Sequence, residues 1–410
     1  MAVAAGTEAT AADPAALDLT DPQTFFDNDP HGMWRPYREH NPLYWHPPKD
    51  GGPGFWVFTK YDDVMAAYRD NKRYTSEQGN VLATLLKGED SASGKMLAVT
   101  DGPRHREVRN LMMKSFSPRV LAPVVANVKE RTDRLVARAV EKGELDFVAD
   151  VADRIPIHTI GDLMGIPDAD RENVVDWNAQ TLARHNPEDS EMESVVARNE
   201  IVHYIATLVA ERRKDPGDDV LSTLAGATIG GVPLSDDEIV LQSYSLILGG
   251  DESSRASAAG TVLAFSEYPA QWARLKSGEV SLDSAAEELL RWTTPTMHFG
   301  RRALEDVEVR DKTIKKGEII TLWNSSANFD EDVFDDPYAF DVARSPNKHV
   351  SFGHGPHFCL GAYLGRVHLK AMLEALREKV SSIEVLDEPT RLFSNFGQGY
   401  SSMRARLTPA

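Results

Sequence analysis

Apolar residues recur along most of this chain at helical spacing, and a few short apolar runs have the character of strands. The helical pattern extends from about residue 103 to 379 and includes an amphipathic stretch at 360–376. The strand-like runs lie at 54–60, 307–309, 318–322 and 403–407. No repeat or low-complexity linker separates two domains. We therefore predict a mainly α (α+β) fold with small peripheral sheets, in a single domain at 19–410 after a flexible tail at 1–18.

The longest predicted helix begins at Ser235 and ends before Pro269. Ser235 and Glu238 have the spacing of a capping box, which satisfies backbone donors at a helix N-terminus. The middle of this helix carries adjacent glycines, Gly249 and Gly250. Each costs about 1 kcal/mol relative to alanine in a helix interior. The pair indicates that something packs close to the helix here, although a tolerated defect or a crossing helix would also explain it.

Composition and charge narrow the classes of protein. The chain has 41% hydrophobic and 26% charged residues, and no run of eighteen apolar residues that could span a membrane. The formal net charge of −18 argues against nucleic acid or an anionic membrane as a partner. The first residues have neither the basic start nor the apolar core of a signal peptide, and a single cysteine allows no internal disulfide. We expect a cytoplasmic monomer.

Cys359 is the only cysteine of the 410 residues, and it lies in the string FGHGPHFCLG at 352–361. A lone thiol can be a buried apolar residue, a nucleophile or a single axial ligand to haem iron. Gly353 and Gly361 allow the backbone to approach a flat cofactor, and Phe352 offers apolar cover. The helix that follows places the sulfur near a helix N-terminus, where the dipole favours a thiolate.

This string resembles the haem loop of the cytochrome P450 family, F-x-x-G-x-x-x-C-x-G. The resemblance implies a single triangular P450 fold with a long central helix. It also implies that Cys359 is the axial thiolate of haem b, with Phe352, Gly353 and Gly361 around the cofactor.

The segment DGPRHREVR at 101–109 supports the resemblance. His105 and Arg109 are four residues apart and share one face of a helix. In the family these positions bind a haem propionate, and Arg301 and His357 match two further propionate partners. Without the cysteine loop, His105 and Arg109 would be read as a surface pair.

A second motif is Glu288-Leu-Leu-Arg291, whose charged residues are three apart on a helix. Such pairs are common on surfaces. In the family this pair joins a downstream arginine, best matched by Arg344, and braces the fold beside the haem loop. The resemblance therefore assigns Glu288, Arg291 and Arg344 a structural role.

A third motif is Gly249-Gly250-Asp251-Glu252-Ser253, where the family has A/G-G-x-[D/E]-T. The resemblance implies that the glycines let the helix approach the oxygen side of the haem, and that Glu252 and Ser253 deliver protons. Serine replaces the usual threonine and loses the methyl group that restricts χ1. Its hydroxyl has the spacing to bond back to the Gly249 carbonyl. A polar helix face is the competing interpretation.

The resemblance implies a monooxygenase that uses O2 and takes electrons from NAD(P)H indirectly, through a ferredoxin reductase and a ferredoxin. The basic stretch between Arg104 and Arg119, together with Lys348, is a candidate ferredoxin surface, although a solvated helix face is as good an interpretation. A non-oxidising haem-thiolate binding protein would not need Glu252 and Ser253. The helix also lacks the Arg-Pro pair of P450 peroxygenases.

The substrate is a separate question. By correspondence with the family, a mixed polar and apolar pocket is predicted at Asn80, Val81, Leu82, Leu182, Leu246, Met297, His298 and Phe396. The strings GFWVF, TSExG, LRWTxPxMH and GQGY are similar to a bacterial P450 group that β-hydroxylates amino acids tethered to peptidyl carrier proteins, in antibiotic pathways of secondary metabolism. The alternative is a monooxygenase of a free small molecule such as an aromatic acid or polyketide.

Overall fold

Helices dominate the structure, a computed structural model that describes residues 17–49, 51–182 and 191–410. Its helices are α1 (Pro22–Asp27), α2 (Arg35–His40), α3 (Tyr61–Arg69), α4 (Leu82–Lys87), α5 (Gly102–Ser115), α6 (Pro118–Lys142), α7 (Arg154–Met164), α8 (Arg171–Leu182), α9 (Glu191–Lys214), α10 (Val220–Ala225), α11 (Asp236–Glu267), α12 (Pro269–Lys276), α13 (Leu282–Thr293), α14 (Asn324–Ala327) and α15 (Ala362–Lys379). Its strands are β1 (Leu43–His46), β2 (Phe55–Phe58), β3 (Tyr74–Thr75), β4 (Glu144–Asp146), β5 (Thr228–Ile229), β6 (Val232–Pro233), β7 (His298–Ala303), β8 (Val307–Val309), β9 (Lys312–Ile314), β10 (Ile319–Trp323), β11 (Val380–Val385), β12 (Thr390–Arg391), β13 (Tyr400–Ser402) and β14 (Arg404–Pro409). The predicted mixture of many helices and small sheets is confirmed.

The chain divides into two units, each with its own core. The described part of the first unit comprises 17–49, 51–91, Thr261–Cys359 and Phe393–Gln398. The second comprises the described residues of Ala92–Gly260 together with Leu360–Leu392 and Gly399–Ala410. Of the predicted tail, residues 1–16 lie outside the described residues. The assignment of 19–410 to one domain stays a prediction.

The first unit is built on a five-stranded sheet in the order β1-β2-β10-β7-β3. β2 and β10 run parallel and the other neighbours antiparallel. Every residue of β10 is buried, as expected for a central strand covered on both faces. An aromatic cluster packs against the sheet, with the rings of Trp34 and Trp323 4.5 Å apart. This sheet carries β7, which holds one of the predicted haem partners.

The second unit is mostly helical, with a small sheet in the order β11-β14-β4. Its core is formed by apolar side chains of α5, α6, α7, α9, α10, α11 and α15. Because α15 begins just after the cysteine and α11 carries the paired glycines, this core fixes two of the elements that the sequence motifs identify.

The long helix α11 has the features that its sequence predicts. Ser235 N–H donates to Glu238 Oε2 at 2.9 Å and Glu238 N–H donates to Ser235 Oγ at 3.3 Å, which confirms the capping box. A Cβ added to Gly250 would lie 3.2 Å from Ile160 Cδ1, so a side chain does pack against this glycine. A Cβ on Gly249 would meet no atom within 4 Å. Close packing therefore explains only one of the two glycines.

Candidate active site

The cysteine loop belongs to the first unit and is closed by its own backbone. Cys359 N–H donates to the Phe352 carbonyl at 3.0 Å. Gly353 and Gly355 have φ of +64° and +70°, which side-chain-bearing residues rarely adopt. A Cβ on Gly355 would also overlap the carbonyl oxygen of Tyr68. The glycines are therefore required by the tight turn that presents the thiol.

Two of the predicted propionate partners lie in the same unit. Arg301 on β7 is buried, and its Nη1 donates to the Gly300 carbonyl at 2.6 Å. His357 ends a short 3₁₀ turn, with Nε2 3.5 Å from Ser76 Oγ. The guanidinium carbon of Arg301 lies 5.8 Å from the centre of the Tyr68 ring, at cation–π distance.

Sequence reasoning missed Tyr68. Its ring is buried on α3, and its hydroxyl donates to Asn324 Oδ1 at 2.8 Å. Burial raises the pKa of Tyr68, so the phenol stays neutral. The sequence offered only an aromatic residue on an apolar helix face, which is an ordinary core position.

The other two predicted propionate partners lie on α5 of the second unit. His105 is 2% exposed and Arg109 is half-buried, whereas Arg106 is exposed. His105 and Arg109 thus share the less exposed face of α5, and their spacing of four residues predicts such a shared face. Arg104 of the basic stretch forms an ion pair with Glu238, so it is not available as a purely solvated charge.

The predicted oxygen-side motif occupies the middle of α11 in the second unit. Ser253 Oγ donates to the Gly249 carbonyl at 3.1 Å, which confirms the predicted back-bond. Glu252 is buried and Ser253 is half-exposed. Gly249 is exposed and faces open space, so this turn of the helix leaves its backbone accessible.

Asp251, which the motif leaves unspecified, is an unexpected buried acid. Asn178 on α8 donates its side-chain amide to Asp251 Oδ2, and Arg255 lies one turn further along α11. Burial raises the pKa of Asp251 to about 6, opposed by the charge of Arg255 and aided by that of Asp153. Arg255 Nη1 is 3.5 Å from Asp153 Oδ1. No local sequence pattern indicates this cluster, because its members come from three separate segments.

The predicted trio is assembled in the first unit. Glu288 and Arg291 are both 0% exposed, and two guanidinium nitrogens of Arg291 donate to Glu288 at 2.8 Å. Arg344 Nε donates to Glu288 at 3.3 Å. Arg291 Nη1 also donates to the carbonyls of Asn328 and Pro337, at 3.0 and 2.9 Å. Glu288 and Arg291 thus form a fully buried brace, which the partly buried Arg344 completes.

The predicted pocket residues differ in their exposure. Leu82, Met297 and His298 are at most 2% exposed in the first unit, and their place in a substrate pocket stays a prediction. His298 Nε2 accepts the Leu82 N–H at 3.3 Å, and burial lowers the pKa of His298 to about 3. His298 is the first residue of β7 and pairs with Trp323 of β10.

Four other predicted pocket residues are less deeply buried. Asn80, Val81 and Phe396 of the first unit and Leu246 of the second are partly exposed. Leu182 is the last residue of α8, and its side chain lies outside the described part of the chain.

The chemistry of these residues suits haem. The first unit by itself offers a thiol on a glycine-tight loop together with Arg301 and His357. In the second unit, His105 and Arg109 share one face of α5, and a Cβ on Gly361 or on Gly249 would meet nothing within 4 Å, so each of these backbones is open. In the part of the chain that the structure describes, no three His, Cys, Asp or Glu residues are grouped to hold a metal ion by themselves.

Comparison with known proteins settles the family. The family description "Cytochrome P450" matches residues 280–381. Cytochrome P450 NovI of Streptomyces niveus is 42% identical over 392 residues, which cover 96% of each chain. The chain is a cytochrome P450. The steroid C26-monooxygenase of Mycobacterium tuberculosis is 32% identical, with 96% of this P450 and 93% of that enzyme covered.

Solved structures agree with this P450's sequence relatives. The crystal structure of P450 OxyD, which is involved in the biosynthesis of vancomycin-type antibiotics, superposes with a TM-score of 0.88 at 29% identity, covering 96% of this chain and all of that one. Mycobacterium marinum CYP268A2 in complex with pseudoionone gives 0.87 at 31% identity, covering 96% and 98%. The predicted P450 fold is confirmed.

Membership defines the reaction class and the cofactor. The P450 is a monooxygenase that uses haem b, O2 and electrons from NAD(P)H, and its family generally receives these electrons through redox partners such as ferredoxin. Among the described residues, no helix is both long and apolar enough to cross a membrane. The predicted cytoplasmic location and monomeric state stay predictions.

Proposed function

We propose that this P450 hydroxylates the β-carbon of an amino acid tethered to a peptidyl carrier protein, in the assembly of a natural product. The carrying observation is that the strings shared with carrier-dependent P450s, although far apart in sequence, meet in the first unit. Thr75 of TSExG pairs with Arg302 of β7, and Thr296 forms a β-bridge with Gly397 of GQGY. The strand FWVF, β2, pairs with β10, the neighbour of β7.

Because of these contacts, the similar strings are neighbours in the folded first unit. Further backbone hydrogen bonds join the same segments: Gly300 N–H donates to Asn80 O at 2.7 Å, and Met297 N–H donates to Phe396 O at 2.9 Å. Both bonds fix residues beside candidate pocket positions. The likeness to OxyD, a P450 of antibiotic biosynthesis, supports the same substrate class.

We assign the site residues as follows. The Cys359 thiolate would hold the haem iron, and His105, Arg109, Arg301 and His357 would bind and neutralise the haem propionates. Haem with a thiolate ligand supplies the activation of O2 for insertion into a C–H bond.

The chain's own groups complete the reaction. Glu252 holds a proton in a buried position, and the Ser253 hydroxyl passes protons at the Gly249 turn. The partly exposed Asn80, Val81, Leu246 and Phe396 orient the substrate and exclude water. A ferredoxin binds on the basic face that includes Arg106 and Lys114, both exposed.

The test is a titration of the ferric holoenzyme followed at the Soret band. One arm uses aminoacyl-loaded carrier proteins, and the other uses the same free amino acids and small aromatic acids. Unloaded carrier is the matched control, because it presents the protein surface and the phosphopantetheine without the amino acid. A shift from low to high spin with loaded carrier alone supports the proposal. A shift of equal size with the free compounds indicates a P450 of free small molecules instead.

A further inference from the structure

A chain of hydrogen bonds inside the second unit joins three helices. The imidazole of His368 on α15 lies between Ser254 on α11 and Thr159 on α7. His368 Nδ1 is 3.2 Å from Ser254 Oγ, and Nε2 is 2.8 Å from Thr159 Oγ1. The ring is 7% exposed, so water does not compete strongly for these bonds.

The direction of each hydrogen bond follows from the last acceptor in the series, the Ile155 carbonyl. Thr159 Oγ1 lies 3.0 Å from the Ile155 carbonyl, which can only accept, so the Thr159 hydroxyl donates there. Thr159 therefore accepts a proton from His368 Nε2–H, and Nδ1 is left to accept from the Ser254 hydroxyl. Burial lowers the pKa of His368 to about 4, so the ring is neutral at pH 7. One tautomer thus satisfies both ring nitrogens.

The bridge ends at the weakest part of α11. Gly249 and Gly250 lower the local helix propensity. The Ser253 back-bond to Gly249, and a second from Ser257 Oγ to the Ser253 carbonyl at 2.9 Å, are of the kind that bends helices. A segment of this composition needs tertiary contacts to hold one backbone position. Ser254, directly after Ser253, is where such a contact is made.

We propose that His368 is a positioning residue for the oxygen-side segment of α11. Its neutral ring anchors Ser254, and so the backbone that carries Glu252 and Ser253, to α15, the helix that begins three residues after Cys359. The inference rests on the proposed roles of Glu252 and Ser253. In this proposal His368 does not transfer a proton to the reaction. It fixes the position of Glu252 and Ser253, the residues that are assigned to proton delivery.

Two neutral substitutions separate the two ends of the bridge. In His368→Asn the side-chain oxygen can occupy the place of Nδ1 and keep Ser254, whereas the bond to Thr159 is lost. In His368→Gln the amide can occupy the place of Nε2 and keep Thr159, whereas Ser254 loses its acceptor. Each variant removes one of the two bonds of the ring, while Thr159 keeps its bond to the Ile155 carbonyl and Ser254 is only partly buried, so their costs in global stability should be similar.

Hydrogen exchange of the ferric holoenzyme measures the anchor without turnover. We expect the amides of residues 250–257 to exchange about fivefold faster in His368→Gln, and close to the wild-type rate in His368→Asn. Ser254→Ala should reproduce His368→Gln, and combining the two should add little, because both remove the same bond. Ser254→Ala also serves if a His368 variant fails to fold.

Peroxide released per NADH, measured with a ferredoxin and its reductase, reports the functional consequence. We expect a higher ratio in His368→Gln and Ser254→Ala than in His368→Asn. Wild-type exchange at 250–257 in His368→Gln, or an equal rise across α7, α11 and α15, would overturn the positioning role. Glu252→Gln and Ser253→Ala are the reference variants: if neither changes the ratio, the proton-delivery assignment fails, and the exchange data still decide whether His368 anchors α11.

Discussion

The buried brace around Glu288 allows a stability change to be worked out from its contacts. Glu288 is 0% exposed and accepts two bonds from Arg291 at 2.8 Å. It also accepts bonds from Arg344 Nε at 3.3 Å, Asn347 Nδ2 at 3.0 Å and Asp341 N–H at 3.1 Å. Glu288→Gln keeps the volume, but it turns an amide N–H₂ toward these donors and removes the negative charge.

The expected cost follows from the charge left behind. Removing one partner of a buried ion pair costs about 3–5 kcal/mol, because the other charge stays buried. The carbonyls of Asn328 and Pro337 still accept from Arg291. We therefore expect Glu288→Gln to lower the free energy of unfolding by about 3 kcal/mol, the lower end of this range. A domain with a total stability of about 5–15 kcal/mol would lose a large share of it.

The assay is urea unfolding of the holoenzyme, followed by circular dichroism and by the Soret band at equal haem loading, because bound haem itself stabilises the fold. Glu287→Gln is the matched control on the same helix. Glu287 is half-exposed and its Oε2 lies 3.1 Å from His349, so its loss should cost less than about 1 kcal/mol. If both variants unfold at the same urea concentration, the buried brace does not contribute what the geometry implies.

Three further changes probe the site. Because burial raises the pKa of Asp251 from 3.8 to about 6, its charge costs stability increasingly from pH 4 to 6 and fully above that. The stability of Asp251→Asn relative to wild type should therefore rise by up to about 3 kcal/mol between pH 4 and 7, and a pH-independent difference in urea titrations would contradict this. Gly249→Ala should stabilise the protein by up to about 1 kcal/mol, since the added Cβ meets no other atom. The same variant should raise peroxide release, because that Cβ occupies the open face of α11. Unchanged peroxide release would place the oxygen side elsewhere. Gly355→Ala should convert much of the 450 nm carbon monoxide complex to the 420 nm form, because its Cβ overlaps Tyr68. Gly88→Ala, also at positive φ (+91°) but without a clash, should keep the 450 nm band.

Local features of the fold were predictable because their causes are local. The capping box, the length of α11, the helical face shared by His105 and Arg109 and the Ser253 back-bond all depend on residues within four positions of each other. The Glu288 brace was predictable only through the family resemblance, since Arg344 is more than fifty residues away.

Contacts between distant segments were not predictable in this way. Asn178 is 73 residues from Asp251, and Thr159 is 209 residues from His368. Each looks in sequence like a polar residue on a helix, where a solvated position is the ordinary interpretation. The same limit applies to His298, because its hydrogen bond with the Leu82 N–H joins positions 216 residues apart.

The energetically unfavourable residues of α11 lie in the segment to which the proposed function assigns proton delivery. Residues 249–253 contain two helix-destabilising glycines, a buried acid whose pKa is raised by burial, and a serine that bonds to its own helix. Most of these costs could be removed by alanine or asparagine, so the fold does not require them. Sequences that keep locally unfavourable residues usually do so at functional sites, with compensation nearby. Here the compensating contacts are identifiable: Ile160 packs on Gly250 and His368 binds Ser254, one residue beyond the costly segment. The unfavourable residues are those of the motif itself, so their position supports a functional role for this segment of α11.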